Sequence, residues 1–336
     1  MTRRIRHVLI AAPDFRPWDL GTYLSSALTT LRVRSTRFSW RAQPGDADQA
    51  FVAAVRQARP DAVIGLKMDG LGAEALARVR RSGVPILLWQ VDCFTDRIPG
   101  WIAPLVREAS VVAVTAHGMV PAYARLGETP VHWVMEGAHL PSFPAVRLPA
   151  ATRALYASEV AFVGGLGQPP VRDARLAGRR LSLLTRLGRH FDVTVWGPQT
   201  PAAIRRAKGR PFTLRRWPAY NDELSRVCRA TAIMLGVNTI NTVPQYFSNR
   251  TFLTLAARGF HLTHYVPGLE ALFENHRHLV WFKDDRECEA LCRYYLSRPD
   301  ARARIARAGH RRVVTRWSLT MQAQRLLEAL MDRPNA

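Results

Sequence analysis

The chain has 336 residues, 48% of them hydrophobic, and carries a formal net charge of +22 from 48 Lys and Arg against 26 Asp and Glu. This length suits two domains of about 150 residues each, and no apolar run approaches the roughly 20 residues needed to span a bilayer. The four cysteines show no CxxC or His/Cys metal spacing. We also expect no cofactor.

The positive charge is compatible with two kinds of partner, nucleic acid or an anionic membrane face. Lys appears only at positions 67, 208 and 283, and the arginines are spread along the chain rather than clustered. A nucleic-acid-binding protein would need a contiguous Arg face, so peripheral membrane association is the more favoured of the two. The start, MTRRIRH, is followed by a short apolar run that predicts a strand rather than a signal peptide, and we expect a cytoplasmic protein.

The first half alternates strands and helices with short connections, which is typical of a parallel sheet covered on both faces. The predicted strands are His7–Ala11, Arg34–Trp40, Ala62–Gly65, Val84–Gln90, Val111–Val114 and Val131–Val134. The predicted helices are Leu20–Leu31, Asp46–Ala58, Gly72–Arg81, Pro99–Glu108 and Met119–Leu126.

Ligands of such sheets bind beyond the carboxyl ends of the strands, and three polar residues follow strands here. Asp14 follows the first strand, Asp92 follows the most apolar one, VPILLWQ, and His117 follows Val111–Val114. A carboxylate at the position of Asp92 suits a general base or a sugar-hydroxyl ligand. The alternatives are a helix cap or a loop salt bridge with Arg97 for Asp92, and an ordinary loop histidine for His117.

The second half restarts the alternation after a Pro-rich stretch without apolar periodicity. We predict a first domain over residues 1–136, a linker over 137–150, a second domain over 151–318 and a terminal helix over 319–336. The predicted strands are Glu159–Val163, Asp192–Trp196, Leu214–Arg216, Ala232–Val237, Phe260–His264 and Leu279–Phe282. The first predicted helix of this half runs to about Leu187. The others are Asn221–Arg229, Arg250–Ala257, a helix that begins at Leu269, Asp285–Ser297, Pro299–Ala308 and Leu319–Met331.

Two stretches of this half resemble phosphate sites. Gly164 and Gly165 close a strand and are followed by Arg172 beside a helix, although the GxGxxG and GxxxxGK[ST] spacings are absent. Asn249 precedes a second helix start, where free N–H groups attract an anion and Arg250 adds a bidentate donor. Asn238 ends the strand before that loop. The alternative is that each is an ordinary helix start with an Arg nearby.

The stretch around Arg250 resembles the donor-site segment of CgeB-type spore-maturation glycosyltransferases, a branch of the GT-B superfamily. The matching residues are Arg250, Phe252, Leu255, Ala256, Gly259, Pro267, Gly268, Leu269, Glu270, Leu272 and Phe273. Further likeness lies in Tyr123–Trp133, in Glu136–His139 and in the Trp196-Gly197 pair. Two positions depart from the pattern, since Leu253 replaces a Glu expected to hold the ribose and Gln245 replaces the first Glu of a Glu-x7-Glu pair.

The resemblance implies an α/β GT-B fold, in which two Rossmann-like, doubly wound domains face each other across a cleft and a terminal helix crosses back to the first domain. It implies metal-independent transfer of a sugar from a nucleotide-sugar donor to an acceptor, with retention of configuration. Gly164, Gly165, Arg172, Asn238, Asn249 and Arg250 would then bind the donor, Asp92 would be catalytic, and Asp14 and His117 would lie on the acceptor side. The departures favour an alternative, a catalytically inactive GT-B-like binding or partner protein.

Overall fold

The computed structural model describes residues 4–95, 97–166, 174–216, 219–238 and 240–332, and it divides into two compact units. The first unit comprises Met1–His139, Val243–Tyr246 and Trp317–Ala336, and the second comprises Leu140–Thr242 and Phe247–Arg316. Arg172, one of the predicted donor-binding residues, lies outside the described residues.

The first unit is built on a fully parallel sheet of six strands in the order β2-β1-β3-β4-β5-β6. The strands are β1 His7–Ala12, β2 Arg34–Ser39, β3 Ala62–Leu66, β4 Ile86–Gln90, β5 Val111–Val114 and β6 Val131–Trp133. The helices between them are α1 Leu20–Thr30, α2 Ala47–Ala58, α3 Ala73–Arg81, α4 Ile102–Glu108 and α5 Val120–Ala124. The chain reverses direction across the sheet between β1 and β3, which is the topological switch point.

The last helix of the chain, α13 (Leu319–Met331), belongs to this first unit and packs against α1. Leu326 and Leu330 lie in the same buried cluster as Leu24 and Leu28 of α1. The short segment Val243–Tyr246 also joins this unit, where Gly118 N donates to Pro244 O at 3.0 Å.

The second unit has a parallel sheet in the order β12-β11-β10-β7-β8-β9. Its strands are β7 Val160–Val163, β8 Val193–Trp196, β9 Thr213–Arg215, β10 Ile233–Gly236, β11 His261–His264 and β12 Val280–Phe282. Its helices are α6 Ala150–Tyr156, α7 Ala174–Gly188, α8 Pro201–Ala207, α9 Asn221–Ala230, α10 Arg250–Ala256, α11 Asp285–Leu296 and α12 Pro299–Arg316. Its switch point lies between β7 and β10, and a buried core of Leu, Val and Phe side chains packs the helices onto the sheet.

All twelve strands lie where the sequence predicts them, within one or two residues. The helices differ at five places, one of which is the start of α4 at Ile102 instead of the predicted Pro99. α6 and α8 were not predicted, although Thr200 caps α8 and Pro201 occupies its first turn, a recognised start signal. The stretch from Leu269 forms only a 3₁₀ turn, Leu269–Ala271.

The last difference concerns α12, which continues through Gly309 to Arg316 instead of ending at Ala308. A Cβ atom at Gly309 would lie within 2.1 Å of His278 O and 2.7 Å of a methyl group of Leu255. This glycine therefore permits close helix packing and is not a stop signal, a distinction that the sequence does not make.

Candidate functional site

The carboxyl ends of β7 and β10 meet at the switch point of the second sheet, the place where open α/β sheets bind ligands. Gly164 and Gly165 follow β7 directly, and Val237 and Asn238 follow β10. The predicted glycine turn and the predicted polar strand end are thus neighbours, although 74 residues separate Gly164 from Asn238.

Gly164 allows a guanidinium group to lie directly against the backbone. Its φ is +146°, a conformation that L side chains rarely adopt, and its N–H donates to Trp196 O at 2.7 Å. A Cβ atom here would lie 2.6 Å from Nη1 of Arg250. Any other residue at this position would therefore displace Arg250.

Arg250 begins α10 and is held by polar contacts on two sides. Its Nη1 donates to Val163 O at 3.2 Å, and its Nε donates to Ser248 Oγ at 3.3 Å. Its guanidinium carbon lies 5.8 Å from the centre of the Phe162 ring. These contacts fix the cation at the end of β7.

A second arginine, Arg180 of α7, lies over the same ring at 5.0 Å and is 8% exposed. It donates to Gly165 O and, at 2.9 Å, to Val237 O, so it bridges the loops that follow β7 and β10. Among the described residues no carboxylate pairs with it. Burial, and then the charge of Arg250, lower the pKa of Arg180 to about 9, so it remains a cation at neutral pH.

Two guanidinium groups on one aromatic ring form an electrostatic arrangement that favours an anion. A buried charge is costly unless a counter-charge compensates it. A diphosphate has the charge and the oxygen acceptors that two guanidinium groups recognise. We call Arg180, Arg250, Gly164 and Gly165 the phosphate cluster.

Gln199 shapes the glycine turn and was not among the predicted site residues. Its Nε2 donates to Gly164 O at 3.0 Å and to Gly197 O at 3.2 Å, while its Oε1 accepts from Leu166 N at 2.8 Å. It therefore holds the ends of β7 and β8 together. At Gly197, where φ is +130°, an added Cβ atom would lie 3.4 Å from Gly164 N, so the two glycine turns run close together.

The two predicted asparagines, Asn238 and Asn249, lie at the loop and residue that precede α10. Asn238 is 7% exposed; its Oδ1 accepts from Ser248 N at 2.9 Å and its Nδ2 donates to His264 O at 3.4 Å. It therefore positions the loop. Asn249 is the residue before α10, but its side chain makes no capping hydrogen bond, and Ser248 Oγ accepts from Arg250 N instead, at 3.4 Å.

A buried histidine lies beneath the first turn of α10. His261 Nδ1 donates to Met234 O at 3.1 Å, so Nε2 is the acceptor, and Thr251 Oγ1 donates to it at 3.1 Å. Burial lowers the pKa of His261 to about 4. It is therefore neutral at physiological pH and supports the helix start without adding a third charge.

Residues 179–328, which lie mostly in the second unit, match a protein-family model described as "Glycosyl transferase-like". The match includes Arg180, Gln199 and Arg250 of the site described above. No curated relative is found by sequence comparison.

Several solved structures share the fold over nearly the whole chain. HepE from Anabaena in complex with UDP-glucose has a TM-score of 0.69 at 11% identity, covering 96% of this chain and 99% of HepE. Sucrose-phosphate synthase from Thermosynechococcus elongatus has a TM-score of 0.71 at 13% identity, covering 95% and 97%. A UDP-forming trehalose-phosphate synthase from Burkholderia xenovorans has a TM-score of 0.71 at 10% identity, covering 99% and 100%.

At this identity the likeness establishes the fold: two α/β units with parallel six-stranded sheets, as in GT-B glycosyltransferases. The GT-B prediction is therefore confirmed. Assignment to the CgeB-type branch stays a prediction.

The residues predicted on the acceptor side all lie in the first unit. Asp92 follows β4, and its carboxylate forms a 2.8 Å ion pair with Lys67, which follows β3; the two side chains are 49% and 32% exposed. Helix α4 begins at Ile102, so Asp92 does not cap it. Lys67 has a left-handed φ of +64° and directly follows β3, a central strand of the sheet.

The other two predicted residues of this unit have surface contacts. Asp14 follows β1 and accepts from Arg41 at 3.3 Å, with Arg16 at 3.6 Å. His117 is exposed and contacts Trp133 edge-to-face at 5.7 Å. Neither arrangement by itself indicates catalysis.

Within the described ranges no group of three or more His, Cys, Asp or Glu side chains could hold a metal ion. In that same part of the chain no helix is long and apolar enough to cross a membrane.

Proposed function

We propose that this protein is a glycosyltransferase that moves a sugar from a nucleotide-sugar donor to an acceptor, and that the phosphate cluster binds the donor's diphosphate. The observation that supports this most is Arg180, a buried cation at a sheet switch point without a carboxylate partner among the described residues. An anion placed against Arg180 and Arg250 would compensate both charges.

The chemistry follows from where charge develops. As the bond between the anomeric carbon and the diphosphate breaks, negative charge grows on the leaving diphosphate oxygens. Preorganised guanidinium groups stabilise that charge without reorganising during the reaction. Two such groups supply the neutralisation that a divalent cation supplies elsewhere, so the proposal includes metal-independent transfer. We include retention of the anomeric configuration in the proposal because the resemblance to the CgeB-type branch implies it.

Related folds suggest which donor to test first. The HepE structure contains UDP-glucose, and a trehalose-6-phosphate protein of E. coli was solved with UDP-2-fluoro glucose at a TM-score of 0.68 and 10% identity. We therefore propose a UDP-sugar as the first candidate donor.

For the acceptor we propose Asp92 as the group that receives the hydroxyl proton. Its ion pair with Lys67 holds one carboxylate oxygen, Oδ2, at 2.8 Å, and thereby orients the other. A positioned base of this kind typically contributes 10²–10⁴-fold in rate.

The donor site is tested with Arg250→Ala. Thermal unfolding is recorded with UDP, GDP, dTDP and CDP, and dissociation constants are then measured for the nucleotide that shifts the melt. Loss of a charge-assisted hydrogen bond should weaken diphosphate binding by about 1.5–3 kcal/mol, roughly 10- to 150-fold. Arg205→Ala, an exposed arginine of α8, is the matched control and should bind normally.

If no nucleotide shifts the melt at millimolar concentration, the donor-site proposal is wrong. Equal affinity in Arg250→Ala and wild type would move the diphosphate away from the cluster.

A second candidate, a protein that binds the nucleotide without transferring sugar, is favoured by one observation. Leu253, one turn into α10, stands where the resembling family has a carboxylate for the ribose. The two candidates are distinguished by measuring the release of UDP from UDP-glucose, in water and with added acceptors. An enzyme should release UDP slowly, and a protein that only binds the nucleotide should release none.

A further inference from the structure

A second basic site lies at the amino ends of the strands of the second sheet, opposite the end that carries the phosphate cluster. An open pocket of about 460 Å³ is lined by residues that precede β7, β8 and β10, among them Ser158, Asp192 and Thr231. Gly164, by contrast, follows β7. The length of a four-residue strand, about 13 Å, separates the two edges, so the pocket is distinct from the phosphate cluster.

Four arginines line this pocket: Arg153, Arg229, Arg258 and Arg302. Two of them close helix ends. Arg153 donates to Arg229 O at 3.0 Å near the end of α9, and Arg302 donates to Leu296 O at 2.9 Å at the end of α11. Basic side chains commonly cap helix carboxyl termini in this way, so these two need no ligand to explain them.

Arg229, in the last turn of α9, and Arg258, just after α10, also lie near helix carboxyl ends, but neither makes a capping hydrogen bond like those of Arg153 and Arg302. Neither side chain has a hydrogen-bond or ion-pair partner within the described part of the chain. Arg258 follows α10 with φ +61°, at a position where glycine is the usual residue. The fold thus tolerates a strained arginine at the rim of the pocket.

The charges in the pocket do not balance. Glu159 and Asp192 also line it, so four arginines against two carboxylates leave two formal positive charges. Glu159 Oε2 is already engaged by Asp192 N at 2.8 Å. Burial lowers the pKa of Arg302, so part of this positive charge is poorly solvated.

The remaining lining fits a small organic anion. Ser158 and Thr231 supply hydroxyl groups, and Cys228 and Phe260 supply buried apolar surface. Pockets of roughly 300–1,000 Å³ that combine an apolar floor with a few polar groups bind small molecules.

We propose that this pocket binds a phosphate group carried by a small organic molecule or a lipid headgroup, with Arg229 and Arg258 donating to its oxygens. Arginine suits this ligand because its fork of N–H donors matches two phosphate oxygens. The site is separate from donor binding and does not depend on the proposed function.

The test uses the full chain carrying Arg250→Ala, so that the phosphate cluster does not dominate the measurement. Two double variants are compared in that background: Arg229→Gln with Arg258→Gln, and Arg205→Gln with Arg206→Gln. Each removes two positive charges from the same unit, and the second pair lies on the exposed face of α8. Titration calorimetry with inorganic phosphate and with glucose 6-phosphate, at constant ionic strength, gives the dissociation constants. Sedimentation with phosphatidylglycerol vesicles, against phosphatidylcholine vesicles, gives the lipid arm.

We expect the pocket pair to bind at least one of these probes at least tenfold more weakly than the control pair. Loss confined to the soluble phosphates identifies a small-molecule ligand, and loss confined to the anionic vesicles identifies a headgroup. Equal binding of every probe by the two double variants would overturn the proposal, as would the absence of binding before substitution. Circular dichroism melts confirm that both double variants are folded.

Discussion

Replacing Arg180 with methionine separates a ligand-binding role from a structural one. The shift of the Arg180 pKa from 12.5 to about 9 corresponds to a cost of about 5 kcal/mol for holding this charge in the ligand-free protein. Arg180→Met removes that cost. It also removes the hydrogen bonds to Gly165 O and Val237 O, each worth about 1.5–3 kcal/mol. The two effects nearly offset, so the ligand-free stability should change by no more than about 2 kcal/mol.

Diphosphate binding has no such offset, and it should weaken at least tenfold in Arg180→Met. The assay is urea unfolding without ligand, together with calorimetric titration of UDP. Arg186→Met on the same helix is the control, because Arg186 pairs with the buried Glu289 at 2.7 Å. We expect it to lower stability and leave UDP affinity unchanged. An Arg180→Met protein that is destabilised by several kcal/mol but binds UDP normally would refute the ligand-binding role.

Three further predictions concern Gly164, His261 and Asp92. Gly164→Ala should lower both stability and diphosphate affinity, because its methyl group would meet a guanidinium at 2.6 Å; Gly209→Ala, with φ +73° and open space, should lower stability alone, as measured by melts and UDP titration. The pKa of His261 is about 4 in the folded protein and 6.5 in the unfolded chain, so the unfolded chain binds the proton first as pH falls. The free energy of unfolding should therefore be highest above pH 6.5 and fall by about 3 kcal/mol as pH decreases toward 4. When the free energy of unfolding is measured in urea at several pH values, its fall at acid pH should be smaller in His261→Gln and unchanged in His117→Gln, a substitution at an exposed position. An equal fall in the two variants would contradict the role of His261. Asp92→Asn should leave UDP binding intact and cut sugar transfer by about 10²–10⁴-fold, whereas an undiminished rate would remove Asp92 from catalysis.

Local sequence signals point to three of the four residues of the phosphate cluster. The Gly164-Gly165 pair marks a turn after an apolar strand, and Arg250 follows two residues that favour helix starts. Strand order could not be derived from these signals, yet it is the strand order that makes β7 and β10 neighbours.

The fourth residue, Arg180, and the contacts of Gln199 and Asp92 depend on features that sequence spacing does not encode. Arg179 and Arg180 are adjacent in one basic run, but only Arg180 is buried; the turn of α7 decides which one faces the sheet edge. Gln199 acts on a glycine turn 35 residues away. The partner of Asp92 is Lys67 rather than the nearby Arg97 named by the sequence alternative, because adjacent strands bring Lys67 to the same edge.

The most direct measurement of the central claim is a crystal structure of the protein with a bound nucleoside diphosphate. The account predicts diphosphate oxygens within hydrogen-bonding distance of the Arg180 and Arg250 guanidinium groups and beside Gly164. A diphosphate bound instead at Lys67, or in the pocket of Arg229 and Arg258, with the cluster unoccupied, would contradict it.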